Sequence, residues 1–507
     1  MPNYQNFVGP SYQSRVHENS YERCLNLYPE HTEVAGGKYE WVLIGTPGTV
    51  SVPAWNFGAN NYIRGMHKCS RDGQMYVVAG GGLYKMPISE ISPPTLMASL
   101  PSATTTVQIA DDGRYIGVVD GSSLYVLDLA TPGSDFTTPL SGLVKPNSIT
   151  FIGGYTLVNN TWNNPAVEFP LTSSCVYFSN LYNMAQWAVI VEGQPYDSTA
   201  LQFFTKEGVA DPCIRVEKRM DQLWLFGTRS LEIWQSNGDA NKPFSRIAGT
   251  VMDIGLFVSP YACATVGTDI FWLGTTKHGG LSIYKSNGYM PQRISTHGVE
   301  YSISLTDASD CVAWSREEEG HRFIIFNFRG GNLTWVYDDA ENTWHEAASR
   351  IELTDKLTCW DPIYAASIGP TTYVGSNFLT GVLKLSLDIY QEYDGRPIER
   401  ERSGPVIWDD LKAIRHSRFQ LDMDGGNGVI NGQGSYPKVM MNYSDDGGYS
   451  WSDEEWETSG PIGEYSTRVV WNRLGMAYSR IYKIRITDPV KVYLLGASVV
   501  TETAQRH

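Results

Sequence analysis

The sequence predicts an all-β protein built around a β-propeller, and three observations lead to this prediction. Aromatic residues make up 12% and charged residues 18% of the 507 residues, with 49 glycines, a composition that favours short strands joined by tight turns over helices. A pattern of two apolar strands around a Gly-bearing turn recurs over residues 65–390. Four cysteines mark this repeat at spacings of 50, 48 and 48 residues: Cys213, Cys263, Cys311 and Cys359.

The N-terminal segment, residues 1–64, is polar and is interrupted by Pro10, Pro29, Pro47 and Pro53. We expect an extended arm with short strands. Its first residues lack a basic stretch followed by an apolar core, so no secretory signal is predicted. Nowhere do about 18 apolar residues run together, so we expect no membrane span and no membrane partner.

Residues 65–390 are expected to form the propeller. We count seven copies of the pattern, at an interval of roughly 40 to 50 residues, the period of four-stranded blades. The third copy, at 147–171, is irregular, so six blades remain an alternative. The other copies are GQMYVVAGGGLYKM at 73–86, TTTVQIADDGRYIGVVDGSSLYVLDL at 104–129, DQLWLFGTRSLEIWQSNG at 221–238, TDIFWLGTTKHGGLSIYKSNG at 268–288, HRFIIFNFRGGNLTWVYDDAENTW at 321–344 and TTYVGSNFLTGVLKLSLDIY at 371–390.

The recurrent cysteine, which is Thr in the second copy, falls where the inner strand of a blade is expected to begin. A small, nearly apolar side chain suits that crowded region. No basic partner or His recurs beside these thiols, so we expect them to be buried and unreactive. The seven cysteines contain no CxxC pair, so neither a disulfide framework nor a zinc site is indicated.

Residues 391–507 are expected to form a second β region after the charged linker EYDGRPIERERSG. Alternating apolar and polar residues here predict antiparallel strands, and hence a small β-sandwich or a sheet packed on the propeller. The stretch DLKAIRHSRF at 410–419 fits either a strand or a short helix.

Within this region, residues 444–451 read SDDGGYSW and match the Asp-box S-x-D-x-G-x-[ST]-W of sialidases and other propellers. The motif predicts a folding device. The Asp side chain caps backbone N–H groups of a hairpin turn, Gly permits the turn and Trp packs beneath it. No FRIP-like arginine motif precedes the box, which argues against a sialidase.

No other pattern indicates a catalytic, cofactor or metal site. GxSxG and Walker motifs are absent, AGGGLY at 79–84 reads as a turn, and Glu317, Glu318 and Glu319 read as a solvated loop. The nine histidines show no HExxH and no i, i+4 pairing, so we predict no enzyme. They are at positions 17, 31, 67, 278, 297, 321, 345, 416 and 507.

An ordered series of segments resembles the packaged-DNA stabilisation proteins of short-tailed phages (podoviruses), also called tail hub or nozzle proteins. The series spans most of the chain, which makes it more specific than any single motif. It comprises FVGPSYQSRVHENSYERCLNLYPE at 7–30, GTPG at 45–48, FSNLYNMAQW at 178–187, LWLFGTRSLEIWQSNGDANKPFSRIAG at 223–249, GHRFIIFNF at 320–328, TWVYDDAENTWHE at 334–346, YSDDGGYSWSDE at 443–454, GEYSTRVVWNRLG at 463–475 and IRITDPV at 484–490.

The resemblance implies a structural virion protein of the tail, made in the host bacterial cytoplasm, with no catalytic residues. It implies a homohexameric ring beneath the portal and the head-to-tail adaptor. That ring extends the DNA channel, helps retain the packaged genome until ejection, and anchors the tail needle or plug and the tailspikes or fibres. Genomic DNA would pass without sequence-specific binding. The net charge of −15 fits an acidic channel lining along which DNA slides, because gripping DNA requires clustered Lys and Arg.

Two other functions are compatible with an Asp-box propeller. One is a carbohydrate-binding or glycan-degrading tail protein, which would need paired Asp or Glu about 5 to 10 Å apart in a cleft. The other is a bacterial interaction scaffold that shares the fold but not the viral setting.

Overall fold

The computed structural model describes residues 4–33, 38–131, 133–162, 173–187, 202–239, 242–256, 259–276, 279–350, 356–410 and 412–503. His278, His507 and residues 163–171 of the irregular third copy lie outside them. The described part is almost entirely strand, with a single helix, His297–Ser304. No helix in it is long and apolar enough to cross a membrane. The predicted all-β fold class is therefore confirmed.

Seven small antiparallel sheets form a propeller, and we number its blades in chain order. Blades 1 and 2 contain the strands Ile63–Lys68, Met75–Ala79, Gly82–Lys85 and Thr95–Ser99, then Gln108–Asp111, Tyr115–Val119 and Leu124–Asp128, with a bridge from Val126 to Thr137. Blades 3 and 4 contain Ile149–Ile152, Tyr155–Asn159, Cys175–Phe178 and Phe203–Thr205, then Cys213–Arg219, Gln222–Gly227, Leu231–Ser236 and Phe244–Arg246.

The remaining blades follow the same plan. Blade 5 contains Cys263–Val266, Asp269–Thr276, Leu281–Asn287 and Met290–Arg293, with Ile254–Leu256 added to its second strand. Blade 6 contains Val312–Glu318, His321–Phe328, Leu333–Asp338 and Thr343–Glu346. Blade 7 contains Pro362–Ile368, Thr371–Ser376 and Gly381–Ser386, and it is preceded by a small hairpin of Ala348–Arg350 with Leu357–Cys359.

The outer strand of blade 7 comes from the other end of the propeller sequence. Gly48–Asn56 pairs antiparallel with Gly381–Ser386, with Leu385 opposite Thr49 and Leu383 opposite Ser51. This strand lies inside the segment expected to be an arm. By this pairing, the strand joins the last blade to the segment that precedes the first blade, and it covers an edge of the blade 7 sheet that would otherwise be open. We call it the closing strand. The bounds 1–64, 65–390 and 391–507 stay a prediction, and this pairing crosses the first of them.

Each of the seven gaps between neighbouring blades holds its own cluster of buried apolar side chains. In the gap between blades 7 and 1, Trp55 of the closing strand packs with Met75 and Val382. Because every blade buries both faces against its neighbours, the propeller core is a ring of separate apolar layers.

The cysteines lie in these layers. Cys213 and Cys263 begin inner strands, Cys311 precedes one directly, and Cys359 precedes another by three residues. Cys69 departs from the expected position, because it follows the inner strand of blade 1. All seven thiols are buried, and burial raises the pKa of Cys213 and of Cys263 to about 12.

The C-terminal region forms a two-layer β-sandwich around an apolar core that includes Phe419, Trp471 and Tyr482. One sheet contains Leu27–His31, Trp41–Gly45, Tyr493–Thr503, Ile414–Met423, Val469–Asn472 and Met476–Ala477. The other contains Cys24–Leu25, Arg400–Ser403, Ile407–Trp408, Ser479–Ile486, Lys438–Ser444 and Glu455–Thr458. The stretch left open between strand and helix, residues 410–419, ends in the strand Ile414–Met423, whose Phe419 and Leu421 enter this core.

Three of the sandwich strands thus come from residues 24–45 of the expected arm. The short strand Cys24–Leu25 pairs parallel with the outer strand of blade 6, with Leu25 opposite Glu346. On its other side it pairs antiparallel with Arg400–Ser403. The sheet of blade 6 therefore continues into the sandwich through a strand from near the start of the chain. A last hairpin, Tyr12–Gln13 with Tyr21–Glu22, precedes it.

Candidate functional site

The region where the propeller meets the sandwich contains a group of hydrogen-bonded polar side chains that sequence reasoning did not predict. We call it the junction, formed by residues 23–26, 346–348 and 399–402. Its side chains come from the N-terminal segment, blade 6 and the sandwich. Buried polar groups need partners inside the protein, and Arg23, Asn26 and Arg402 find theirs on segments that are far apart in sequence.

Arg23 joins all three parts. Its guanidinium lies 2.9 Å from Glu346 of blade 6 and 3.4 Å from Glu401 of the sandwich. Both carboxylates are more than nine-tenths buried. Burial opposes the charge of Arg23, but attraction to Glu346 and Glu401 outweighs it and raises the pKa of the guanidinium. A charge-assisted pair of this kind is strong because the two buried carboxylates have little access to water.

Asn26 connects the same segments through its amide. The side chain donates to the carbonyls of Ala348 at 2.9 Å and Glu399 at 2.8 Å, and its oxygen accepts from the N–H of Ala348 at 2.9 Å. The backbone of Asn26 has φ of 51°, in the left-handed region that Asn tolerates better than most residues. One buried amide therefore fixes the path of the chain between two strands of the sandwich.

Arg402 holds the first residues of the chain. Its fully buried guanidinium donates to the carbonyls of Phe7 at 2.5 Å, Pro10 at 3.0 Å and Asn6 at 3.2 Å, and pairs with Glu22 at 3.3 Å. The turn at residues 6–10 is thus wrapped around one charged side chain.

The Asp-box forms the expected turn between two strands of the sandwich. The Asp446 carboxylate accepts from the N–H of Ser450 at 2.9 Å, and Ser444 Oγ accepts from the N–H of Gly448 at 2.7 Å. Hydrogen bonds from Ser450 and Ser444 lower the pKa of Asp446 to about 2. The arrangement is the local cap that the motif predicts.

The neighbouring Asp445 has a separate role. Both of its oxygens accept from the buried Arg480, at 2.6 and 2.7 Å, and this guanidinium stacks on the ring of Tyr443 at 3.9 Å. Trp451 packs against the ammonium of Lys483, 3.9 Å from the ring centre. These contacts tie the Asp-box turn to the strand Ser479–Ile486.

The hairpin of residues 12–22, which we call the clasp, sits on the Asp-box. A Cβ on Gly448 would lie 3.0 Å from the ring of Tyr21, and one on Gly447 would lie 2.8 Å from Glu18. Both glycines also have positive φ, of 94° for Gly448 and 77° for Gly447. The Asp-box glycines therefore serve the turn and at the same time admit the clasp.

The other face of the clasp lies on the helix His297–Ser304, between blades 5 and 6. A Cβ on Gly298 would lie 2.7 Å from the carbonyl oxygen of Gln13, and Arg15 lies over the ring of Tyr301 at 5.2 Å. The clasp thus bridges the propeller and the sandwich. No local signal could have indicated this, because all of its partners lie hundreds of residues away.

Three of the described histidines, His321, His345 and His416, are buried. His321 lies 2.6 Å from Asp338 and 3.3 Å from Glu30. Burial by itself would lower the pKa of the imidazole, but the two carboxylates outweigh this effect and raise the pKa. Burial lowers the pKa of His345 to about 3 and that of His416 to about 4. Within the described ranges, no group of three or more His, Cys, Asp and Glu side chains is placed to hold a metal ion.

Among the described residues, two carboxylates have a raised pKa, Asp361 at about 7 and Glu392, and both owe the rise to burial. Both are at least 97% buried by side-chain neighbours such as Ser349, whose hydroxyl donates to Glu392 at 2.8 Å. They stand inside the protein, where no substrate reaches.

The three consecutive glutamates line a surface cavity of about 720 Å³ between the hairpins of blades 6 and 7. Glu317 and Glu319 are exposed, and Glu318 is paired with Arg316. The stretch is solvated as expected, but Glu317 and Glu318 end the strand Val312–Glu318, and only Glu319 lies in the turn.

The propeller axis is closed at one end. The hydroxyl of Tyr261, next to the inner strand of blade 5, donates to the carbonyl of Thr106 at 2.9 Å, just before the inner strand of blade 2. Tyr364 of blade 7 reaches the Thr106 hydroxyl at 3.2 Å. Blades 2 and 5 lie across the ring from each other, so these contacts fill the centre.

Two family models match the chain. The model described as Bacteriophage P22 Gp10, beta-propeller, matches residues 25–386, and the one described as Bacteriophage P22 Gp10, beta-sandwich, matches residues 399–502. The first begins at Leu25, in the strand that joins blade 6 to the sandwich. No curated protein matches the chain.

Several solved structures are similar in fold at low sequence identity. The N-terminal domain of Nup159 aligns with TM-score 0.41 and 12% identity, over 72% of this chain and 99% of that one. The extracellular domain of BT4673 from B. thetaiotaomicron aligns with TM-score 0.40 and 10% identity, over 83% of this chain and 48% of that one. The WD40 propeller of Doa1 aligns with TM-score 0.39 and 9% identity, over 67% and 96%. Similarity at this level carries no argument about function.

Proposed function

The chain belongs to the bacteriophage P22 Gp10 family and is a phage structural protein, and on this premise we propose that it is the tail hub or nozzle protein of a short-tailed phage. Six copies form a ring below the portal and the head-to-tail adaptor. The ring extends the DNA channel, helps to retain the packaged genome, and anchors the needle or plug and the tailspikes or fibres. It carries no catalytic step.

The observation that carries this proposal is the continuous sheet from blade 6 into the sandwich. Together with the buried Arg23 and Asn26 contacts, it makes propeller and sandwich one stiff unit. A tail protein that holds a packaged genome must keep its shape under load. Buried polar contacts between segments serve this requirement because they resist hinge motion.

The closed axis supports a channel between copies. The contacts of Thr106 with Tyr261 and Tyr364 leave no passage for a duplex along the propeller axis. In a ring of six, DNA therefore passes through the central opening that the copies surround. The net charge of −15 favours sliding over gripping, provided that acidic side chains face that opening.

Electron microscopy of the purified chain mixed with adaptor and portal tests the proposal. We expect the chain to add a six-fold ring at the adaptor end of the assembly. A chain that binds neither adaptor nor any other tail part, or that turns over host glycans, would contradict it. A ring whose lumen is lined mainly by Lys and Arg would refute the sliding channel alone.

A further inference from the structure

Three arginines are among the largest fully buried side chains of the described residues: Arg400, Arg402 and Arg480. Arg402 binds backbone carbonyls and Glu22, and Arg480 is paired with Asp445. Arg400 differs from both. It is 1% exposed, and none of its three guanidinium nitrogens has a partner.

Arg400 faces a small pocket between blade 7 and the sandwich. The pocket has a volume of about 90 Å³ and is lined also by Gly45, Tyr390, Lys491 and Tyr493. A Cβ on Gly45 would lie 2.8 Å from Arg400 Nε, so the glycine leaves the room that the guanidinium occupies. The volume suits a few waters or one small ion, and it is far below the roughly 300 Å³ of a pocket for a larger organic ligand.

Two cations, Arg400 and Lys491, line the pocket. The Lys491 ammonium lies 4.5 Å from the ring centre of Tyr493, another lining residue. Burial lowers the pKa of Arg400 to about 10, which leaves it charged at neutral pH. A buried charge with no counter-ion is strongly unfavourable, so a charged partner from outside the chain would stabilise the fold.

We propose that this pocket binds one small tetrahedral oxyanion of the inorganic phosphate class, held by Arg400 and Lys491. The planar guanidinium presents parallel N–H donors to two oxygens of the anion, and the ammonium neutralises a further share of its charge. The hydroxyls of Tyr390 and Tyr493 supply additional donors at the pocket wall. The site does not depend on ring formation, so it goes beyond the function proposed above.

Two exposed carboxylates, Glu319 and Asp388, also line the pocket. They disfavour an anion by repulsion, and either could replace it by pairing with Arg400. The two kinds of counter-ion can be told apart by experiment. A carboxylate of the chain can be removed by substitution, whereas phosphate can be added to or left out of the solution.

The experiment measures thermal unfolding of the full chain in increasing sodium phosphate and, at matched ionic strength, in sodium chloride. We expect a saturable rise in Tm with phosphate alone, since a ligand that binds only the folded state stabilises it by mass action. Lys491→Met should raise about tenfold the phosphate concentration that gives the same rise in Tm. Arg400→Met should abolish the rise in Tm. Lys438→Met removes an exposed lysine elsewhere on the sandwich and should respond like the unaltered chain.

Equal Tm values of the unaltered chain in phosphate and chloride would overturn the proposal, as would a K491M response identical to that of the unaltered chain. The K491M result decides the matter even if R400M fails to fold. Glu319→Gln and Asp388→Asn should keep or strengthen the phosphate response. If either lowers Tm in chloride while phosphate has no effect, the carboxylate is the counter-ion and the anion site is refuted.

Discussion

Apolar clusters hold the propeller together, whereas buried charges and amides hold the junction between propeller and sandwich. Each propeller cluster joins blades that are consecutive in sequence, except where the closing strand completes blade 7. Each junction contact joins segments from distant parts of the chain, as Arg23 does with Glu346 and Glu401. Apolar packing is non-directional and tolerates small shifts of the packed side chains. Hydrogen-bonded charges require one relative arrangement of their donors and acceptors. The propeller thus supplies bulk stability and the junction supplies relative orientation.

The largest effect should come from the propeller layer that the strand Gly48–Asn56 completes. Trp55→Ala removes a fully buried indole that packs on Tyr373, with ring centres 4.9 Å apart, and donates to the carbonyl of Ser92. We expect a loss of about 4 kcal/mol in the free energy of unfolding. Denaturant unfolding measures it.

Val50→Ala on the same strand is the matched control, because Val50 is 37% exposed. It should cost less than about 1 kcal/mol. Equal losses for the two variants would mean that the closing strand contributes pairing but no core.

The next effect tests the junction. Arg23→Met leaves Glu346 and Glu401 buried without their cation, and we expect a loss of about 3 kcal/mol in unfolding free energy. Arg15→Met removes a cation that only stacks on Tyr301, and should cost under about 1 kcal/mol. If the additional substitution Glu346→Gln fails to recover any stability in R23M, the two residues are not coupled and the ion pair does not hold the junction.

A smaller loss, of about 2 kcal/mol, is expected for Asn26→Ala, because three buried hydrogen-bonding groups lose their partner and Ala is strained at φ of 51°. Asn26→Gly removes the same hydrogen bonds without the strain. The difference between the unfolding free energies of the two variants, measured in denaturant, therefore gives the part of the loss that comes from backbone strain. A Gly variant as stable as the unaltered chain would show that the amide contributes nothing.

The smallest effect is a pH dependence confined to the contact of blade 6 with the sandwich. His321 has a raised pKa in the folded chain, so its contribution is fully present below the ordinary histidine pKa and is lost as pH rises through the folded value. We expect His321→Gln to remove roughly 1 kcal/mol of stability at pH 5.5 and less at alkaline pH.

Calorimetry of H321Q and the unaltered chain across that range measures the effect. His297→Gln, which alters an exposed ring, should leave the profile unchanged. A constant difference between H321Q and the unaltered chain at all pH values would exclude a role for the imidazolium charge.

Much of the propeller could be predicted from the sequence. Cys213, Cys263 and Cys311 mark inner strands because neighbours in the ring are also neighbours in the chain, so the same packing problem recurs at a fixed spacing. The Asp-box was predictable for a related reason, since Asp446 caps a turn that lies within five residues of it. Cys69 departs from the pattern because its thiol is buried at the end of an inner strand rather than at its start.

The junction and the clasp could not be predicted in this way. Gly48–Asn56 alternates like a strand, but nothing near it indicates that its partner is Gly381–Ser386. Arg400 and Arg402 read as part of a charged linker, yet both are fully buried. A charge pattern shows which residues prefer water, and it does not show which will find a partner when the chain ends meet.

The sequence by itself determined the strand class, the repeat and the Asp-box turn, because these depend on interactions between residues close along the chain. Only the tertiary structure decided that residues 24–56 complete both the sandwich and the last blade, that the clasp covers the Asp-box, and that Arg400 is buried without a partner. Those features depend on which distant segments meet, and that is set by closure of the ring rather than by local preference.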